Sequence, residues 1–466
     1  MHSGPRGAPA LLRAIARVLV RLFYHRVEVV GLERVPRAGP LIVVANHQNA
    51  LIDPLVLLAV LPRTIRPVAK ATLFRHPLLA PFVHMAGALP VHRRQDPGSD
   101  AAQNVAMFAA VAAALRSGEA ILIFPEGVSQ PEPVLMPLRT GVARMILGTE
   151  GAAGVPATTL LPVGLVFHDP GTFRSGWALV LVGRPVRTED LHAVAARDPE
   201  GAVCELIGRA SEALRMLIVE AGDRETLRLT EGLEAIRRAE TEPRAAGAPS
   251  GSRMDRVAWL QVAARAHRWL AAREPVRVSR LRAEVERYLA DLERLGLSPQ
   301  VVGRAYSPGV VARYALREGL VLLGGLPLAA WGVASHALPY ALTALAVRCL
   351  APSGDVAATV KLIAGAILYP ACWALEAWMA WRLLGAWGLI PFLALLIPAG
   401  LFALGWQARL ERVRRDARAF VRFLWDRDLL ARLAARRRGL VEETESLARL
   451  LPAEVLAPVR PDEPPP

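Results

Sequence analysis

Residues 319–347, GLVLLGGLPLAAWGVASHALPYALTALAV, contain no charged side chain, and neither do residues 383–406, LLGAWGLIPFLALLIPAGLFALGW. Between them, VAATVKLIAGAILYPACWALEAWMAW (356–381) carries only Lys361 and Glu376. Apolar stretches of this length match the hydrocarbon thickness of a bilayer, and buried helices of soluble proteins rarely run so long without charge. Residues 318–406 therefore read as transmembrane helices. Arg304, Arg313 and Arg317 precede them, and Arg409, Arg412, Arg414, Arg415 and Arg418 follow. The tendency of basic residues to stay cytoplasmic places both ends on that face, which requires an even number of passes. Pro327 and Pro339 meet this by dividing the first stretch into a short hairpin, followed by two full spans.

The remainder is of another kind. The chain has 466 residues, 53% hydrophobic but 21% charged, a balance that fits a soluble part joined to a membrane part. Net charge is +14 and the sequence pI is about 10.8, which favours phosphate-bearing partners: nucleic acid, anionic lipid or phosphorylated substrates. Lys70 and Lys361 are the only lysines. A coding bias that also enriches alanine and proline accounts for most of the arginine. No motif or aromatic-basic interleaving supports nucleic-acid binding. Cys204, Cys349 and Cys372 lack metal or redox spacing and read as small buried apolar residues.

Residues 1–26 hold a basic amphipathic helix. Arg13, Arg17, Arg21 and His25 recur every fourth residue, with Leu11, Leu12, Ile15, Val18, Leu19 and Leu22 on the other side. Such a helix reads as membrane-associating, lying in an anionic surface with its arginines at the headgroups; the alternative is packing on the domain core with its arginines exposed. From 27 to 240, short apolar runs alternate with helical patterns. VEVVGL (27–32), LIVVAN (41–46), IRPVAK (65–70), AILIFPEG (120–127), TLLPVGLVF (159–167) and ALVLVGRPV (178–186) read as strands. Continuous β-rich runs belong to sheets buried on both faces, so this part is an α/β domain. AAQNVAMFAAVAAALRSG reads as a helix ended at Gly118, and 202–239 as further helix. A linker (241–255), an arginine-rich helical region (256–317), a basic helical tail (407–455) and a Pro-rich, disordered end (456–466) complete the order.

Four stretches of the α/β domain carry candidate chemistry. In NHQNALIDP (46–54), His47 is suited to take a proton from a hydroxyl, and Asp53 to fix its tautomer and stabilise the imidazolium. Residues six apart do not face each other on a regular helix, so the pair makes sense only on a strand-to-helix turn. In isolation such a pair is more often a local hydrogen bond. In GALPVHRR (87–94), Gly87 and Pro90 shape a turn ahead of Arg93 and Arg94, and arginine suits bidentate phosphate binding. In FPEGVSQ (124–130), Glu126 projects beyond a strand end, where ligands of α/β sheets gather. In LLPVGL (160–165), Pro162 is placed at a strand end, where it removes a backbone donor.

In order and spacing, the four stretches resemble the blocks of the glycerolipid acyltransferase family, which contains glycerol-3-phosphate and lysophosphatidic acid acyltransferases. The resemblance covers roughly residues 27–190. It implies an α/β domain with a central mixed sheet flanked by helices, with His47 and Asp53 as the catalytic pair. Arg93 would bind the phosphate of the acceptor, with Arg139 of LRTGVARM as a second candidate. Glu126, Gly127 and Ser129 would line the acceptor site, and Pro162 would belong to the acyl-donor region. Five residues separate His47 from Asp53, where most of the family has four. That interval resembles a branch that acylates glycerol 3-phosphate and dihydroxyacetone phosphate and carries extra C-terminal membrane segments.

The implied reaction moves an acyl group from acyl-CoA or acyl-carrier protein to a hydroxyl of a phosphorylated glycerol. It needs no other cofactor. No metal is expected either, since the histidines are not clustered. The expected setting is the phospholipid membrane, with the catalytic domain on its cytoplasmic side. A lysophosphatidic acid acyltransferase is the nearest alternative. A catalytically inert lipid-binding protein is a more distant one.

Overall fold

The structure, a computed structural model, describes residues 8–76, 79–92, 101–150, 157–168, 176–241, 253–302, 308–351 and 354–457. Its strands are β1 (Arg26–Val30), β2 (Leu41–Ala45), β3 (Ile65–Lys70), β4 (Leu89–Val91), β5 (Ala120–Ile123), β6 (Thr159–His168) and β7 (Trp177–Val182). Its helices are α1 (Ala8–Phe23), α2 (Ile52–Val60), α3 (Ala80–Met85), α4 (Ala101–Arg116), α5 (Gly141–Glu150), α6 (Leu191–Ala195), α7 (Pro199–Arg215), α8 (Arg224–Thr241), α9 (Arg253–Arg273), α10 (Pro275–Leu295), α11 (Pro308–Leu350), α12 (Gly354–Trp425), α13 (Arg427–Ala448) and α14 (Ala453–Leu456).

The strands form one mixed sheet in the order β1-β7-β6-β2-β5-β3-β4, parallel except for the β6–β7 pair. The alternation of side chains along LIVVA explains its uniform apolarity. Leu41, Val43 and Ala45 enter a core shared with α1 and α2, while Ile42 and Val44 enter one shared with α4, α5 and α7. The carboxyl ends of β2, β5, β3 and β4 consequently share one edge of the sheet, where a strand-end site is expected.

Pro162 lies inside β6 rather than at its end. It is tolerated there because the antiparallel ladder with β7 starts only at Val163, paired with Val182. The missing N–H therefore falls at the last step of that ladder, where Pro162 still accepts from Gly183 N–H at 2.9 Å. GALPVHRR is also more than a turn, since Leu89–Val91 adds the edge strand β4.

The N-terminal helix is part of the domain. Leu12, Ala16, Val20 and Phe23 are buried in the core over α2. Arg13 donates to the Leu61 carbonyl and Arg17 to the Ala59 carbonyl at 3.2 Å, capping the end of α2 where carbonyls lack helical partners. Leu11, Val18 and Leu22 remain exposed beside Arg17 and Arg21, so the outer face keeps an apolar-basic character.

The region of 256–317 is resolved into α9 and α10, with Pro275 at the first position of α10 and Gly296 ending it at φ 66°. α8 packs with α9, α10 and α13 around Leu229, Ile236, Val285, Tyr288 and Leu440, so it belongs to this helical bundle rather than to the sheet. Arg437 is buried there against Glu240 and the carbonyls of Pro299 and Val302. On its other side α9 covers β7. Val257 and Leu260 meet Leu179 and Leu181, and Gln261 donates to the carbonyls of Met216 and Ile218. The linker lies almost wholly in 242–252, and the Pro-rich end in 458–466; both fall outside the described residues.

The apolar half departs from the expected pass pattern. α11 runs unbroken through Pro327 and Pro339, so residues 319–347 form no hairpin. A proline inside an apolar helix removes one hydrogen bond without ending it, because neighbouring helices and local adjustment satisfy the freed groups. A reversal does fall at Gly385, whose φ 65° and ψ −166° interrupt α12 close to the boundary expected between the two full spans. Uninterrupted, α12 would hold residues 371 and 400 more than about 40 Å apart at 1.5 Å per residue. Yet His336 of α11 meets both Tyr369 and Trp373 at ring distances of 5.9 and 5.5 Å, and also packs against Gly400, where a Cβ would overlap it. The second limb of α12 runs antiparallel to α11. Trp406 donates to the Leu322 carbonyl, Arg409 pairs with Glu318, and Asp416 accepts from Tyr314. The two arginine-flanked ends of the apolar region are therefore adjacent. Val311–Leu350 and Val356–Val421 are long and apolar enough to cross a bilayer. Leu383, Leu384, Ile390 and Trp387, the last 90% exposed, lie open on this region's surface, and exposed apolar groups in contact with one another mark a membrane or partner surface.

Candidate active site

β2 ends at Ala45 and α2 begins at Ile52, and in the intervening turn the amides of residues 47–51 all find acceptors. Asn46 extends the sheet by one step: its side chain accepts from Leu165 N–H at 2.7 Å and donates to the Leu165 carbonyl at 3.0 Å. His47 N–H then donates to Glu126 Oε1 at 2.7 Å. Gln48 and Asn49 N–H both donate to Asp53 Oδ2 at 2.8 Å. Ala50 N–H donates to Ser129 Oγ at 3.0 Å, and Leu51 N–H to Thr359 Oγ1 at 3.1 Å. Among the described residues Ala50 is the one non-glycine with positive φ, 37°. Backbone in that region is costly for an L-residue and persists only when its surroundings over-determine it.

This tight reversal brings His47 and Asp53 together. His47 Nδ1 lies 2.8 Å from Asp53 Oδ2, closing the five-residue interval. Asp53 is fully buried in the first turn of α2, where amide donors and the helix dipole favour a carboxylate. A carboxylate only accepts, so the ring proton resides on Nδ1 and Nε2 carries the free lone pair. The His47 side chain is 16% exposed, and its ring stacks on Phe124 at 4.2 Å. The arrangement is an imidazole held on one side by a carboxylate and on a face by an aromatic ring, with its other nitrogen uncommitted.

The third block holds the first. Glu126 is 3% exposed, and its second oxygen accepts from Met136 N–H at 3.1 Å. Burial raises the Glu126 carboxyl above its ordinary range, opposed by the hydrogen bonds from His47 and Met136. Gln130 N–H closes the other side by donating to the His47 carbonyl at 3.0 Å. Gly127, at φ 75°, lets the FPEG turn reverse, and Arg139 is anchored there by its N–H on the Pro125 carbonyl at 2.7 Å. The exposed Arg139 side chain lies over Gly127, and among the described residues it pairs with no carboxylate. Behind the turn, Asn49 donates to the Tyr24 hydroxyl at 3.0 Å. Burial first and Asp53 second push that phenol well above its usual range, so it stays neutral.

The structure thus gathers His47, Asp53, Glu126, Gly127, Ser129 and Arg139 at the carboxyl ends of β2 and β5. Pro162 is buried beside Val44 in the sheet. Arg93 lies outside the described residues. The chain leaves β4 at Val91, on the same edge of the sheet as β2 and β5. Sequence reasoning did not single out Asn46, Asn49, Tyr24, Phe124 or Thr359. Asn46 and Asn49 lie inside the quoted block and were detectable as short amides flanking a turn, but nothing local marks the other three.

An oriented histidine at a strand end of a mixed α/β sheet lies where ligands of such sheets gather. Residues 26–166 match the family model described as Acyltransferase, so the chain carries an acyltransferase-family domain. Its relatives include proteins named as glycerol-3-phosphate and 1-acylglycerol-3-phosphate acyltransferases and one uncharacterised acyltransferase. An uncharacterised acyltransferase of Schizosaccharomyces pombe is 25% identical over 310 residues, covering 48% of this chain and 45% of the relative. Glycerol-3-phosphate O-acyltransferase 1 of Saccharomyces cerevisiae is 34% identical over 125 residues, 26% of this chain and 16% of the relative. A 1-acyl-sn-glycerol-3-phosphate acyltransferase of Borreliella burgdorferi is 28% identical over 155 residues, 33% of this chain and 57% of the relative. The chain spans less than two thirds of the length of each of these three.

Proposed function

We propose that this protein is a membrane O-acyltransferase that transfers a fatty acyl group from acyl-CoA or acyl-carrier protein to a hydroxyl of glycerol 3-phosphate or dihydroxyacetone phosphate. The observation that carries the reading is the 2.8 Å His47–Asp53 contact at the carboxyl edge of the sheet. Nε2 of His47 takes the proton of the acceptor hydroxyl as its oxygen attacks the thioester carbonyl. Asp53 stabilises the imidazolium that forms. Collapse of the tetrahedral intermediate breaks the C–S bond, and the departing thiolate recovers the proton from His47. One ester forms, one thioester is consumed, and no covalent enzyme intermediate is required.

The acceptor's phosphate is assigned to Arg93 and Arg139. Arg139 offers a guanidinium unpaired among the described residues beside the FPEG turn, and Arg93 follows the last residue of β4 by two positions in sequence. Replacing Arg93 with alanine is expected to raise the acceptor KM by about ten- to a hundredfold with a smaller change in kcat, the pattern of a lost ground-state contact. Steady-state kinetics with glycerol 3-phosphate as the varied substrate check this. An unchanged KM would remove Arg93 from the phosphate site. The arginine-flanked ends of the apolar helices favour a cytoplasmic catalytic domain.

The Borreliella burgdorferi relative favours a second acceptor, 1-acylglycerol 3-phosphate. Purified full-length protein supplied with radiolabelled acyl-CoA and each acceptor in turn separates the readings. Label in lysophosphatidic acid or acyl-dihydroxyacetone phosphate supports the first, and label only in phosphatidic acid the second. No transfer to any of them favours an inert lipid-binding protein.

A further inference from the structure

The first turn of α12 is embedded in the acyltransferase domain. Ala358 is fully buried in the core formed by β2, α1 and α2, Leu362 packs against that core, and Thr359 is 8% exposed between them. Thr359 Oγ1 accepts the Leu51 N–H at 3.1 Å, across 308 positions of sequence. That amide belongs to the first turn of α2, where N–H groups lack helical partners and need an external acceptor. It adjoins Ala50, whose φ of 37° is the strained point of the turn. The other turn amides find acceptors within the α/β domain: Glu126, Asp53, Ser129 and the Asn49 carbonyl. Leu51 is the one amide of residues 47–52 that depends on the apolar helical region.

We propose that Thr359 is a positioning residue for the His47–Asp53 pair, so that the apolar helices set the geometry of the catalytic turn. This rests on the reading of His47 as general base. Without the Thr359 hydroxyl, the half-buried Leu51 amide loses its acceptor, and the turn relaxes toward an unstrained Ala50. Gln48 and Asn49 then move relative to Asp53 Oδ2, and the His47 ring moves with them. A small misplacement of a catalytic base lowers turnover without weakening the hold on a phosphate bound elsewhere.

The test compares Thr359→Val, Thr359→Ser and His47→Ala in the full-length protein reconstituted in phospholipid vesicles, measuring glycerol 3-phosphate acylation from acyl-CoA. Valine keeps the branched shape and removes the acceptor; serine keeps the acceptor and removes the methyl. Thr359→Val is expected to lower kcat about tenfold while the acceptor KM stays within about twofold. Thr359→Ser is expected to return kcat to within about threefold of the parent. An unchanged kcat in Thr359→Val overturns the proposal. A loss that serine does not restore also overturns it, since packing rather than the hydroxyl would then be at work. Full activity in His47→Ala fells the underlying reading instead, and the two failures are therefore distinct.

Discussion

His47→Ala is expected to lower acyl transfer by about 10³-fold or more while leaving expression and vesicle association unchanged, because in the proposed mechanism the ring supplies the proton transfer while other residues hold the backbone of the turn. Nδ1 is committed to Asp53 and the ring face to Phe124, which leaves Nε2 as the one ring nitrogen available to a hydroxyl. Removing the ring leaves Glu126 and Gln130 holding the backbone of residue 47, so the turn persists as a scaffold without a base. Asp53→Asn is a milder change in shape, since an amide oxygen can still accept from Gln48 and Asn49. It loses the charge that stabilises the imidazolium, and a fall in kcat of about 10²- to 10³-fold is expected at unchanged acceptor KM. Burst and steady-state measurements with acyl-CoA check both. An alanine variant within tenfold of the parent would exclude His47 as the base and return Asp53 to a helix-capping role.

The sheet was legible because burial on both faces leaves a direct mark: LIVVA and AILI are uniformly apolar, and each residue has a core to enter. The catalytic turn was legible as a position but not as a geometry. Nothing in NHQNALIDP shows that Ala50 adopts positive φ, nor that this reversal lets a five-residue interval close to 2.8 Å. The supports of the turn come from Glu126, Ser129 and Thr359, which are distant in sequence, and no local pattern links them to it. In the apolar half the break between the two full spans falls at Gly385, near its expected place, but the hairpin expected at Pro327 and Pro339 does not form: proline is the stronger breaker by intrinsic propensity, yet α11 runs through both. Arginines 13 and 17 read as a solvent or headgroup face. They cap α2 instead, because its terminal carbonyls are the nearest acceptors to a helix that lies across them.

Glu126→Gln separates two roles that the sequence alone merges. A glutamate in FPEG that bound the acceptor would, when changed to glutamine, raise the acceptor KM and leave thermal stability alone. In the structure both carboxylate oxygens accept backbone N–H groups, from His47 and Met136, in a buried setting. A glutamine must turn its NH₂ toward one of these donors, leaving two donors face to face, at a cost of about 1–3 kcal/mol. Glu126→Gln should therefore lower the unfolding midpoint by several degrees and kcat by about 10²-fold, through displacement of His47, with KM nearly unchanged. The pH dependence gives an independent sign. Burial raises the Glu126 carboxyl above its ordinary 4.5 in the folded state, so its ionisation lowers stability as pH rises from that value through the folded one. Glutamine does not titrate, and the stability gap between parent and variant should narrow over that window. A raised KM with an unchanged midpoint would instead assign the Glu126 carboxylate to the acceptor and remove it from the scaffold of the turn.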